Sequence, residues 1–218
     1  MTTTLASLLI GAAKKRKAFF SFHYDDIMRV NNVRNAWKIM HPDSPLMRSF
    51  YDSSLWEARK AEGPEALKKL IREGVEYTSA ICVLIGTNTW SRRWVRYEIA
   101  RAVVDGRGLL GVHINGLLHH QRQAKDVYGP NPFDYMAVGK VQIGLLAVPT
   151  YFLFEKTVRG WVRYADHVAA VKKPAWLPDC DPGKVTPLAR AANLHDHCAG
   201  GHADIGKWID AAAVQAGR

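Results

Sequence analysis

The chain has few cysteines, fewer acidic than basic residues, and no long apolar segment. Its three cysteines cannot all pair within one chain, which excludes a disulfide-built scaffold and predicts a reduced, cytoplasmic protein. No segment reaches the roughly 18 apolar residues that span a bilayer, so we expect no membrane partner. The apolar stretch 5–13 precedes the basic run 14–17, the reverse of the order in a secretory signal.

The excess of basic charge predicts an anionic partner. The 30 Lys and Arg residues outnumber the 20 Asp and Glu residues, which gives a formal net charge of +10. Such a charge suits nucleic acid, an acidic surface or a phosphate-rich small molecule, and it equally suits a solvated basic surface. Apart from 14–17 the basic residues are dispersed, and no recognition-helix or RNA-binding motif is present, so we expect no nucleic-acid partner.

Short apolar segments alternate with amphipathic helical patterns. Strands are predicted at 18–22, 49–51, 79–86, 109–114 and 150–154. Helices are predicted from Ile27 to Met40, from Pro64 to Gly74, from a cap at Ser91 to Gly106, and at 160–171 and 205–214. This alternation predicts an α/β fold with a doubly wound parallel sheet.

Polar residues follow several of the predicted strands. In open α/β sheets, ligands bind outside the carboxyl ends of the strands. Residues able to hydrogen-bond a ribose or a phosphate occur there, namely Ser21, His23, Asp26, Asn88, His113 and Asn115. Helix caps and ordinary surface polar residues remain alternative interpretations of the same positions.

Glu98 lies at the border of the apolar stripe on its predicted helix, four residues after Trp94 and on the same side. That position predicts a half-buried carboxylate near the strand ends. Such a group can bind a sugar hydroxyl or stabilise an oxocarbenium cation. From position alone, a boundary glutamate paired with Arg101 or Arg34 is the commoner case.

Two arginines, Arg92 and Arg93, stand in the first turn of that helix. Cations there oppose the helix dipole at a cost of about 0.3–1 kcal/mol each. An anion such as the pyrophosphate of a dinucleotide would offset the cost. Two arginines extending into solvent remain an equal alternative.

Seven sequence blocks, in order, resemble the TIR-like domain of Thoeris ThsB proteins. They are 17–26, 33–37, 54–57, 66–71, 82–86, 92–99 and 129–135. A single W-x-x-x-E pattern is weakly specific, whereas seven blocks in sequence order are strongly specific. The resemblance covers roughly residues 16–136.

The resemblance implies a flavodoxin-like, TIR-type three-layer sandwich with a mainly parallel central sheet. We therefore divide the chain into an N-terminal extension (1–15), a TIR-like domain (16–140) and a C-terminal portion (141–218) that completes or packs on the same domain. The extension and the region beyond about residue 140 depart from the family pattern.

The resemblance also implies an activity, namely cleavage of the nicotinamide–ribose bond of NAD and cyclisation of the ADP-ribose into a signalling nucleotide. In the family this signal activates a ThsA effector during anti-phage defence. We accordingly expect NAD as a substrate, no cofactor, a phage component as trigger, and a homo-oligomer. The alternative is a non-enzymatic protein-interaction scaffold, which TIR-type folds also provide.

The family's catalytic glutamate corresponds to Glu98 through the block 92–99. The residues expected to bind NAD are Phe19, Phe20, Ser21, His23, Asp26, Arg34, Asn35, Trp56, Asn88, Arg92, Arg93 and Asn115. The aromatic members could stack on adenine or nicotinamide, although each is more often a core residue.

Histidines and cysteines also cluster near the C-terminus, at Cys180, His195, His197, Cys198 and His202. Both residue types bind zinc, but their spacing matches no standard finger, and such closely adjacent donors cannot easily reach one tetrahedral ion. We expect no metal there and interpret the segment as a glycine-rich loop before the last helix.

Overall fold

Strands and helices alternate along the first half of the chain. The computed structural model describes residues 16–40, 59–119, 121, 123–142, 144 and 148–218. The strands are β1 (Ala18–Ser21), β2 (Ala80–Ile85), β3 (Gly108–His113), β4 (Met136–Val141), β5 (Thr150–Thr157), β6 (Gly160–Arg163), β7 (Val185–Pro187) and β8 (Asn193–Asp196). The longer helices are α1 (Ile27–Met40), α2 (Pro64–Glu76), α3 (Arg93–Val104) and α4 (Gly201–Gln215). The predicted strand 49–51, the extension 1–15 and Trp56 lie outside the described residues.

A parallel sheet carries the order β1–β2–β3–β8. Every residue of β2 (AICVLI) is buried, as expected of a strand covered on both faces. The predicted α/β fold with a mainly parallel central sheet is confirmed.

Helices cover both faces of this sheet, which makes three layers. On one face, α2 and α3 pack against the side chains of Ile81, Val83 and Ile85. On the other face, α1 and α4 pack against Cys82 and Leu84. Because successive strand residues point to opposite faces, β2 supplies both cores.

A second sheet is antiparallel and has the order β6–β5–β4–β7. The strand predicted at 150–154 exists as β5, but it pairs with β4 and does not join the parallel sheet. The helix predicted at 160–171 is wrong, because its first residues form β6. Thr157 pairs with Gly160 across a two-residue turn, and Gly160 has a φ of 98°, which suits a tight hairpin.

Two further predictions need correction. Ser91 does not cap α3, because a short 3₁₀ turn (Thr89–Ser91) comes first and Arg92 occupies the cap position. The strand that follows β3 in the parallel sheet is β8, which the sequence did not predict. Its sequence, NLHD, is polar and at most half-buried, so it lacks the apolar pattern of an inner strand.

In the part of the chain that the structure describes, no helix is long and apolar enough to cross a membrane.

Candidate active site

The carboxyl group of Glu98 is enclosed between α3 and the end of β1. Ser21 donates a hydrogen bond from Oγ to Glu98 Oε2 at 2.5 Å. Only 5% of Glu98 is exposed, so the residue is more buried than its helical position predicted. Its expected alternative partner, Arg101, instead donates to Asp105 at 2.9 Å.

Burial raises the pKa of Glu98 to about 8, and the hydrogen bond from Ser21 opposes part of that rise. None of the salt bridges among the described residues involves Glu98. A carboxylate in so enclosed a site interacts with a nearby cation far more strongly than one in water does. The arrangement therefore suits stabilisation of a transient positive charge.

Three charged or titratable side chains stand at the junction of β1 and α3. His23 Nδ1 lies 3.3 Å from Asp25 Oδ2, and Arg92 Nη2 lies 3.9 Å from the same oxygen. Burial, followed by the charge of Arg92, lowers the pKa of His23. About 41% of the Arg92 side chain is exposed, so its guanidinium can donate to an anion.

Asp26 belongs to a buried ion-pair cluster centred on Arg29, of which 1% is exposed. Arg29 Nη1 lies 3.3 Å from Asp26 Oδ1 and 2.6 Å from Asp126 Oδ2, and Arg29 Nε donates to Leu117 O at 2.9 Å. Burial raises the pKa of Asp26 despite the opposing charge of Arg29. Arg29 and Asp126 were not among the residues predicted from the sequence. Asp26 directly precedes α1 and Arg29 lies in its first turn, so their three-residue spacing was the available signal.

Asn115 supports the loop that lies across the end of β2. Its fully buried amide donates to Val127 O at 2.8 Å, and Thr87 Oγ1 donates to the same carbonyl at 2.7 Å. Gly129 packs so closely that a Cβ there would lie 2.2 Å from Gly86 O. Asn115 therefore positions the loop.

The structure gathers some of the predicted site residues and separates others. Ser21, His23 and Arg92 surround the end of β1 beside Glu98, and Asn88 accepts hydrogen bonds from Ser91 at the start of the following turn. The neighbouring residues Phe19 and Phe20 point to opposite faces of the sheet. Phe19 packs in the α3-side core, and Phe20 packs on the opposite face of the sheet.

The remaining predicted residues lie on helices. Arg34 is half-buried and Asn35 is exposed, both on α1. Arg93 is bound by both guanidinium arms to Asp166, at 2.9 and 2.7 Å, on the side of α3 that faces the second sheet. Arg93 is thus directed away from Arg92, its neighbour in sequence.

Comparison with known proteins shows the family. A family model described as "Thoeris protein ThsB, TIR-like domain" matches residues 19–119. Over 198 residues the chain is 36% identical to a Bacillus cereus (strain MSX-D12) protein named "Putative cyclic ADP-D-ribose synthase ThsB1". The alignment covers 89% of this chain and 99% of that relative. The chain belongs to the Thoeris ThsB family.

The match to the ThsB domain runs from β1 to just past β3 and includes Ser21, Arg29 and Glu98. The alignment with the Bacillus relative covers too much of the chain to end near residue 140. Similarity to ThsB proteins therefore extends into 141–218.

The C-terminal histidines and cysteines are spread over separate contacts. Cys180 Sγ contacts Lys184 O at 3.3 Å, and His195 stacks on Trp208 with ring centroids 4.3 Å apart. Among the described residues, no group of three or more His, Cys, Asp or Glu side chains could hold a metal ion.

Proposed function

We propose that this ThsB-family protein cleaves NAD at the nicotinamide–ribose bond and cyclises the ADP-ribose into a signalling nucleotide. The nucleotide would activate a ThsA-type effector in anti-phage defence. The name of the Bacillus relative, a putative cyclic ADP-D-ribose synthase, supports this assignment. The observation that carries it is the enclosed Glu98 carboxyl, hydrogen-bonded to Ser21 at the carboxyl end of β1.

The proposed mechanism is dissociative. The bond between the ribose C1′ and the nicotinamide nitrogen breaks, and its electron pair leaves with nicotinamide as a neutral ring. An oxocarbenium cation remains on the ribose. The ionised form of Glu98, which is the minor form at neutral pH because the pKa is about 8, stabilises that charge. An internal hydroxyl group of the same ADP-ribose then attacks, and its proton passes to the carboxylate.

Cyclisation requires that water reach the cation more slowly than the internal hydroxyl does. The burial of Glu98 keeps bulk water from the carboxylate. The loop held by Asn115 and Thr87 lies across the end of β2, and the exposed part of the Arg92 guanidinium offers donors to the pyrophosphate. Arg92 would orient NAD and the loop would cover it, while Glu98 acts on the reacting atoms.

One observation favours the non-enzymatic scaffold. With 5% of its surface exposed, Glu98 can contact a substrate only after neighbouring side chains move. A scaffold protein would tolerate a permanently enclosed carboxyl, and an enzyme would not.

The two functions differ in the small molecules that they leave in cells. We would analyse extracts of phage-infected cells by mass spectrometry, comparing the parent protein with Glu98→Gln. Glu73→Gln is the matched control, because Glu73 is exposed on α2 and only loosely paired with Lys69, at 3.9 Å. Infection is included because the family's activity is expected to need a trigger.

We expect a cyclic ADP-ribose species with the parent and with Glu73→Gln, and none with Glu98→Gln. If no variant makes the species while all are folded and abundant, the scaffold is favoured. Equal production by Glu98→Gln would leave the reaction in place and remove Glu98 from it.

A further inference from the structure

A half-open pocket of about 300 Å³ lies between α3 and the second sheet. Its walls include Ser91, Arg93, Arg96, Glu155, Tyr164 and Asp166, and we call it the α3–β5 pocket. It is close to the lower end of the size range of small-molecule sites.

The α3–β5 pocket and the proposed active site use opposite sides of α3. Glu98 and Arg96 are two residues apart on the helix, so their side chains project about 200° apart. Glu98 bonds to Ser21 on β1, whereas Arg96 Nη1 bonds to Glu155 on β5 at 3.0 Å. A ligand in this pocket therefore does not touch Glu98.

Tyr164 lines the α3–β5 pocket, and its hydroxyl group is enclosed. Tyr164 is 2% exposed, and its Oη has no hydrogen-bond partner in the part of the chain that is described. Burial and the nearby carboxylates raise the pKa of this phenol far above neutrality, so it remains a donor. Buried polar groups in folded proteins are almost always paired, so the hydroxyl is available to an acceptor oxygen.

The charges around the pocket balance. Arg93 is paired with Asp166, and Arg96 with Glu155. Behind them, Lys68 lies 3.1 Å from Asp166 and 2.9 Å from Glu65. With no uncompensated charge, the pocket has little attraction for an ion.

We propose that the α3–β5 pocket binds a small uncharged polyhydroxyl molecule of the sugar or polyol class. A hydroxyl group can donate to one neighbour and accept from another. The pocket presents both kinds of partner side by side, with the carboxylates of Glu155 and Asp166 as acceptors and the guanidinium groups as donors. One ligand hydroxyl would accept the bond from Tyr164 Oη once the side chains around it move, because Oη is enclosed.

The test is a titration of the ¹⁵N-labelled full chain with ribose, and separately with inorganic phosphate, followed by amide chemical shifts. We expect ribose to move the signals of Ser91, Arg96 and Asp166, and phosphate to leave them in place. Tyr164→Phe removes only the hydroxyl and should weaken ribose binding roughly 3- to 10-fold, the range of one neutral hydrogen bond. Tyr77→Phe, at an exposed tyrosine, is the matched control and should bind as the parent does.

The second measurement is stability towards urea. Because the Tyr164 hydroxyl has no partner among the described residues, Tyr164→Phe should be at least as stable as the parent towards urea. Ribose binding that is unchanged in this variant would overturn the proposal, and so would shifts caused by phosphate alone. Ribose shifts confined to Ser21 and Glu98 would place the sugar in the other site and also overturn it.

Discussion

Glu98 combines burial with an ionisable group, and this makes its protonation state part of the folding equilibrium. The pKa of about 8 in the folded chain lies well above the value of about 4.3 for an unfolded glutamate. The folded chain therefore binds the proton more tightly than the unfolded chain does. Stability from this source is complete below about pH 4 and is lost as the pH rises towards 8.

Glu98→Gln should therefore remove a pH-dependent loss of stability. The uncharged amide keeps the shape of the side chain, so at pH 8.5 we expect the variant to exceed the parent by on the order of 2–4 kcal/mol. At pH 5 the difference should be small. Urea unfolding at both pH values measures it, and a gap of equal size at the two values would contradict the assigned pKa.

Ser21→Ala tests how the carboxyl of Glu98 is held. Since the hydrogen bond from Ser21 lowers the pKa of Glu98, its loss should raise that pKa by roughly one unit. If the ionised carboxylate acts on NAD, the rising limb of kcat/KM against pH should move to higher pH by the same amount. A pH profile of turnover measures the shift.

The control is Ser91→Ala, which removes a hydroxyl bonded to Asn88 O. Its profile should match that of the parent. A Ser21→Ala profile with lower activity and an unchanged midpoint would show that Ser21 acts only on packing.

At the scale of elements, a buried ion pair and a hydrogen bond link α1 to the segment that follows β3. Arg29 on α1 reaches Leu117 O and Asp126 in the segment after β3, and Asn115 ties Val127 to the end of β2. These contacts hold the segment across the carboxyl ends of the strands, where the sequence predicted the ligand.

Arg29→Met should destabilise the chain by about 3–5 kcal/mol, because it leaves the buried Asp26 without its cation. Urea unfolding at pH 7 measures the change. The control Arg59→Met removes an exposed pair with Glu62 and should shift stability by less than about 1 kcal/mol. Equal effects of the two variants would show that the Arg29 cluster contributes no more than a surface pair.

The hydrophobic pattern of the sequence predicted some elements correctly and others wrongly. The uninterrupted apolar run of β2 and the helical periodicity of α1 predicted both elements close to their observed bounds. The segment 160–171 has apolar residues at spacings that suit a helix, but its first residues form β6, because pairing with β5 supplies backbone hydrogen bonds. Pairing of that kind depends on a partner strand and is not visible in the segment itself.

The whole molecule is organised by contacts between its two ends. The edge strand β8 pairs with β3, and the apolar face of α4 closes the core that α1 begins. Gly108, at the start of β3, is so close to α4 that a Cβ there would lie 2.4 Å from Ala212 O. The boundary placed near residue 140 stays a prediction, but β8 and α4 are both C-terminal to it.

A chain ending at Val141 should therefore fail to fold cooperatively. It would leave Leu110, Val112 and their neighbours without the cover of α4. The free energy lost by exposing this apolar core exceeds the free energy of unfolding of a typical domain. Circular dichroism during thermal unfolding measures this. A sharp transition near that of the full chain would show that 16–140 is an independent domain.

By itself, the sequence determined the α/β class, the buried strand β2 and the candidacy of Glu98, because apolar periodicity and short motif blocks are local properties. Only the tertiary structure decided that Ser21 meets Glu98, that Arg29 joins Asp26 to Asp126, and that Arg93 turns away to Asp166. The partners in these contacts, Asp26 and Arg29 apart, are separated by up to 97 residues. Which of several equally suitable charged or polar side chains meet is set by how the elements pack.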